Sequence, residues 1–123
     1  MQVTKDLVAA SATPIVLGIL ADGDSYGYAI LRRISDLSGG ELDWTEGLLY
    51  PLLHRLERLG HVESSWQLVP GERRRKYYRI TRQGLAELAT QQRQWRTVVE
   101  ALQQVWPSIA DVWPLFPTLE GNA

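Results

Sequence analysis

TEGLLYPLLHRLERLG, residues 45 to 60, confines this chain more than any other stretch. Leu49, Leu52, Leu53, Leu56 and Leu59 recur at three- and four-residue steps, so one stripe of a helix is apolar, and Gly60 is placed to end it in a left-handed turn. Such a helix must lay its leucines on a body. Its opposite side is unusual, because Gly47, Tyr50, Pro51, His54, Arg55 and Arg58 fall on one outward stripe of small, aromatic and basic groups. A helix with leucines behind and Tyr, His and Arg in front is shaped for a groove. Pro51 forfeits a backbone hydrogen bond, at a cost of ~3 kcal/mol unless compensated. Gly47, four residues earlier, relieves crowding at the freed carbonyl, and a local bend follows that serves either groove entry or packing on the preceding helix.

The body for that helix is short. KDLVAASATPIVLGILADG has a first helical pattern along Leu7, Ala10, Ile15, Leu17, Ile19 and Leu20, with a break expected near Pro14. Ser25 reads as the N-cap of a second helix carrying Gly27, Ile30, Leu31, Ile34 and Leu37, which Ser38-Gly39-Gly40 stops. After the leucine helix come HVESSWQLV and RKYYRIT, two strand-like runs parted by Pro70-Gly71, which should pair as a hairpin. In the second run one tyrosine can point inward while the other lies beside the cations.

Thr81 caps a last helix expected to reach Trp106, where Pro107 stops it. Leu85, Leu88, Gln92, Trp95, Val99, Leu102 and Trp106 follow alternating steps of three and four, a heptad seam. At ~1.5 Å per residue this helix outreaches the small body it leaves, so its seam calls for a second copy. The fold class expected is therefore mainly α with a small β-hairpin. Residues 1–81 form a winged helix-turn-helix, 82–106 a dimerisation helix, and 107–123 a tail that folds back or hangs loose.

Composition narrows the function. The 123 residues are 45% hydrophobic and 22% charged, which suits one globular domain, and the longest apolar run, Ile15 to Ala21, is too short to span a bilayer. No membrane association is expected, and the cytoplasm is the expected location. Without cysteine there is no disulfide framework, thiolate nucleophile or cysteine-ligated metal. His54, Glu57 and His61 do not make a metal site, since Gly60 separates His61 from the helix and no third strong ligand is near. The scattered serines and two histidines follow no catalytic spacing, so neither an enzyme nor a cofactor is expected.

The formal net charge is only −1, yet from His54 to Arg82 eight cations face three acids, and no basic residue follows Arg96. Arg73, Arg74, Arg75 and Lys76 are consecutive. A localised cationic region is the footprint of a phosphate-binding surface. Three helices followed by a two-stranded wing is the order in which a third helix enters the major groove while the wing meets the backbone. Candidate DNA contacts are therefore Thr45, Glu46, Tyr50, His54 and Arg55 on the third helix, with Arg73, Arg74, Arg75 and Lys76 on the wing. Thr45 and the Tyr50 hydroxyl suit phosphate, and His54 and Arg55 suit bases. Glu46 fits either a cytosine amine or the positive end of the helix dipole, the latter being the simpler role.

YGYAILRRI, LLYPLLHRLERLGHVES and RRRKYYRIT together resemble the PadR-like transcriptional regulators, over Leu17 to Gly84. Leu48 stands where many members carry a small or hydroxylated residue. The resemblance implies a homodimeric repressor of a pseudo-palindromic operator near its own or an adjacent gene, of the short subgroup with a single dimerisation helix. Trp95 falls where certain multidrug-responsive relatives carry a central tryptophan. Tryptophans on a seam are most often core, but two copies of Trp95, with Trp106 further along, could sandwich a planar aromatic or cationic effector. Two other classes stay open: a non-specific architectural nucleic-acid binder, and a winged-helix adaptor that binds protein. An adaptor would more often expose an apolar patch on the third helix.

Overall fold

The computed structural model describes residues 2–71 and 73–106. Elements follow in the order α1 (Lys5–Ala21), β1 (Ser25–Tyr26), α2 (Gly27–Leu37), α3 (Glu46–Arg58), β2 (Val62–Leu68), β3 (Arg74–Ile80) and α4 (Arg82–Val105). The chain divides into two compact units, Met1–Thr90 and Gln91–Ala123, with the division inside α4. The expected tail 107–123 lies outside the described residues.

In the first unit, α1 contributes Ala12, Val16, Leu17, Ile19 and Leu20 to the core, α2 Ile30 and Ile34, and α3 Leu49, Leu52, Leu53 and Leu56. Val62 of β2, Tyr78 of β3 and Trp44, just before α3, complete it. The leucine stripe of α3 thus packs as its spacing predicts, apart from Leu59, which is exposed as the C-cap. Beyond it the Gly60 amide donates to the Glu57 carbonyl at 3.0 Å and the His61 amide to Leu56 at 2.9 Å. Gly60 at φ +80° supplies the left-handed residue this Schellman turn needs.

Three local expectations change. α1 does not break at Pro14 but runs unbroken through it. The proline silences one donor, and the carbonyl it would have served belongs to Ala10, an exposed residue that water can reach. Burial of apolar side chains on both sides of Pro14 then outweighs the single lost bond.

Ser25 is not the N-cap of α2. It pairs with Tyr78 as Tyr26 pairs with Tyr77, so the two residues form β1, and Tyr26 occupies the cap position with no side-chain cap bond. The hairpin is consequently part of a three-stranded antiparallel sheet, ordered β1-β3-β2. β2 and β3 pair from Val62↔Ile80 to Leu68↔Arg74, with Gly71 at φ +76° in the connection.

α4 starts as its sequence suggests: Thr81 Oγ1 accepts from the Gly84 amide at 3.0 Å and donates to the Gly60 carbonyl at 2.6 Å. The same threonine therefore caps α4 and ties it to the end of α3. Gly84 is buried there, since a Cβ on it would stand 2.0 Å from the His61 carbonyl oxygen. Trp106 lies one residue past the helix end.

Candidate nucleic-acid interface

The outer stripe of α3 and the wing meet across a cleft. Tyr50 and His54 line one side, with ring centroids 6.5 Å apart, and Arg73, Arg74, Arg75, Lys76 and Trp66 line the other. Tyr26, Gly27 and Tyr28, at the start of α2, close the end, and the cleft encloses about 800 Å3.

The pleat explains how the cations are held. Tyr78 is buried and Ile80 packs against the core, so alternation puts Lys76 and Arg74 on the body side of the wing. Lys76 Nζ lies 5.7 Å from the Tyr78 ring centroid, and the Arg74 guanidinium 5.3 Å from that of Trp66, the residue facing Lys76 in register. On the opposite face Arg75 lies 4.3 Å over the Tyr26 ring, which meets Tyr77 edge-on at 5.4 Å. Aromatic faces attract cations without neutralising them, so the rings orient the long side chains of Arg74 and Lys76 and leave their charge intact. Arg79, by contrast, is paired with Glu63, and Arg33 with Asp22 at 3.3 Å.

Tyr50 is seated by a missing side chain. A Cβ at Gly27 would stand 2.2 Å from the Tyr50 hydroxyl oxygen and 2.7 Å from Cζ, so the phenol occupies space that only glycine leaves open. Beneath it Tyr78 is 1% exposed, and its hydroxyl has no hydrogen-bond partner among the described residues. Burial, with smaller effects from Glu57 and Tyr50, pushes that phenol above the usual tyrosine range. Glu57 accepts from Ser64 Oγ at 2.6 Å, which links α3 to β2.

Of the residues expected from sequence, the cleft unites Tyr50, His54, Arg73, Arg74, Arg75 and Lys76. Thr45 and Glu46 are exposed at the start of α3, outside it. Arg55 is exposed but turns toward α1, where its Nη2 lies 3.5 Å from Thr13 Oγ1. On α4, Leu88 packs partly against the core, Trp95, Val99 and Leu102 are half-buried, and Leu85 and Gln92 are exposed, as is Trp106 beyond its end. Tyr26, Tyr28 and Trp66 are lining residues that the sequence reading missed. The YGY triplet carried the signal for two of them, a glycine between two aromatics at the start of a helix.

A three-helix body whose third helix shares a cationic cleft with a β-wing is a winged helix-turn-helix, a DNA-binding class. Residues 16–90 match the model of the transcriptional regulator PadR-like family, and the chain belongs to that family. It is 32% identical over 100 residues to an uncharacterised protein of Lysinibacillus sphaericus, covering 81% of this chain and 92% of the other. Among solved structures it resembles a transcriptional regulator from Clostridium thermocellum, at 29% identity and a TM-score of 0.75, covering 82% of this chain and 98% of that one. It also resembles a PadR family transcriptional regulator from Eggerthella lenta, at 31% identity and 0.71, covering 81% and 85%. No helix among the described residues is long and apolar enough to cross a membrane.

Proposed function

We propose that this DNA-binding transcriptional regulator is a homodimeric repressor of the cytoplasm that reads a two-fold symmetric site in double-stranded DNA. The observation that carries this reading is the cleft itself, where the groove-facing side chains Tyr50 and His54 stand across from four wing cations. Arg73, Arg74, Arg75 and Lys76 take phosphates, the Tyr50 hydroxyl takes the phosphate nearest the start of α2, and His54 addresses base edges. Thr45 and Glu46 stand at the N-terminal end of α3, the end that leads a recognition helix into the groove. Arg55 serves from the α1 side of the helix, exchanging its Thr13 contact for the backbone.

Residues 1–81 bind DNA in this reading and residues 82–106 pair the subunits through Leu85, Leu88, Gln92, Trp95, Val99, Leu102 and Trp106. That pairing sets the two recognition helices about one DNA turn, ~34 to 36 Å, apart. A planar aromatic or cationic compound held between the two copies of Trp95, with Trp106 beside them, would release the repressor by favouring another spacing.

Selection of bound duplexes from a random pool tests the reading, followed by titration of the winner against scrambled DNA at fixed salt. A symmetric site bound at least ~10³-fold more tightly than scrambled DNA is the expected result. Failure to recover a consensus would reduce the wing to non-specific binding.

A further inference from the structure

Two apolar side chains stand outside the core toward the far end of the wing. Leu68, the last residue of β2, is 75% exposed, and Trp66 is 58% exposed. A single exposed leucine calls for no explanation, but these two are neighbours on one face. They lie two residues apart on β2 and stand opposite Arg74 and Lys76 in register, so all four side chains project from the face that carries Tyr78. That face borders the cleft shared with α3, which Trp66, Arg74 and Lys76 line. Each apolar group on β2 therefore faces a cation on β3. Trp66 has a task within the wing, since the Arg74 guanidinium lies 5.3 Å from its ring centroid. Leu68 has none: it belongs neither to the core nor to the residues packed against it.

We propose that Leu68 is an apolar wedge that enters the DNA minor groove next to the major groove held by α3 and opens one base step there. This deepens the function proposed above and rests on its placement of α3. Charge decides between DNA and a protein partner. A groove walled by phosphates and floored by sugars and base edges suits an apolar tip flanked by cations, with Arg74 and Lys76 against the walls and Leu68 on the floor. A protein interface keeps charge away from its apolar centre. Reach agrees with this choice. Leu68 stands opposite Arg74, four residues along β3 from the buried Tyr78, which is ~13 Å at ~3.4 Å per residue. The adjacent minor groove lies half a turn, ~17 Å, from the centre of the major groove, and the length of the leucine side chain covers most of the remainder. Unstacking costs least at pyrimidine–purine steps. The wing thereby adds a preference for TA or CA/TG half a turn from each α3 contact, without a hydrogen bond to any base.

The test uses the full chain and duplexes of the selected operator in which 2-aminopurine, whose fluorescence rises on unstacking, replaces adenine at one position at a time. Anisotropy on the same duplexes follows binding separately. The rise should occur at a single step in each half-site, about half a turn from the α3 contact. Leu68→Ser should abolish the rise and weaken the operator about tenfold, with the salt slope unchanged because no phosphate contact is lost. Leu68→Met keeps an apolar tip and should retain the rise. Changing the opened step to GG should weaken the wild type about tenfold and Leu68→Ser hardly at all. Binding by the wild type without a rise at any position overturns the wedge, as does a rise or a step preference that survives in Leu68→Ser. Operator affinity untouched by Leu68→Ser also overturns it and assigns the patch to a protein partner. If selection yields no consensus, the reading of a sequence-specific regulator fails alone, and the same fluorescence on scrambled duplexes carrying TA steps still decides the wedge. A chain that binds no duplex refutes both.

Discussion

Gly27→Ala separates folding from DNA contact more cleanly than any change within the cationic wing. The new Cβ would stand 2.2 Å from the Tyr50 hydroxyl oxygen, so the phenol must retreat by about 1 Å to restore van der Waals separation. The obstructed atoms are the far end of a two-torsion side chain, and a rotation of ~30° off its rotamer costs only ~0.5–1.5 kcal/mol. Alanine in place of glycine returns up to ~1 kcal/mol of helix propensity at the start of α2, so stability should change by less than ~1 kcal/mol. DNA affinity should not be spared. A hydroxyl that gives up a phosphate oxygen forfeits a charge-assisted bond of ~1.5–3 kcal/mol, a loss of roughly 10- to 150-fold. Urea denaturation measures the first quantity, and fluorescence anisotropy on the selected operator at fixed salt the second. Adding Tyr50→Phe to Gly27→Ala should cost almost nothing further, because the hydroxyl is already displaced. Wild-type affinity in Gly27→Ala, or full additivity of the two changes, would refute the assignment of Tyr50 to phosphate.

Replacing Arg73, Arg74 and Arg75 together by serine should weaken binding to operator and scrambled DNA alike. The slope of log affinity against log salt should flatten by as much as ~0.9 for each lost phosphate contact, read from titrations between 50 and 200 mM salt. Gly84→Ala meets backbone instead of a mobile side chain, the His61 carbonyl at 2.0 Å, and should destabilise the fold by ~1–3 kcal/mol in urea. Tyr78 has its phenol raised by burial, so the stability this burial confers is complete below pH ~10 and drains away as the pH climbs through the folded value. Tyr78→Phe, which removes a hydroxyl with no hydrogen-bond partner among the described residues, should be at least as stable as wild type at pH 7 and should lose less between pH 9 and 11, followed by circular dichroism.

Where the chain carries a strong period, the sequence was sufficient. The leucine stripe, the Gly60 stop and the Thr81 cap depend on contacts within a few residues, which spacing displays directly. β1 was not legible, since two residues cannot show a two-residue period and its pairing exists only because β3 offers an edge. Ser25 consequently read as a cap. Pro14 misled for the opposite reason: local chemistry argues for a break, and the core on both sides of it overrides that preference. In the cleft the charged members announced themselves, whereas Trp66 became visible only once the register set it opposite Lys76. Arg55 was placed with Tyr50 by helical spacing, but a long side chain on the edge of a stripe can turn either way, and here it meets α1.

The placement of charge along β3 explains how a chain of net charge −1 can present a cationic face. Ile80 and Tyr78 fix one end of the strand in the core, and the same alternation carries Lys76 and Arg74 outward along a rigid ladder paired on both edges near its base. Toward that base Arg79 is consumed by Glu63, where a free cation would serve nothing, while further out Arg74, Arg75 and Lys76 each lie over an aromatic ring. A carboxylate at Trp66 would pair with Arg74 and Lys76 and cancel the field that phosphate needs; indole orients them and leaves their charge intact. Trp66→Glu should therefore damage DNA binding more than Trp66→Ala does, although neither residue makes a wild-type contact, and the gap between the two should shrink at high salt.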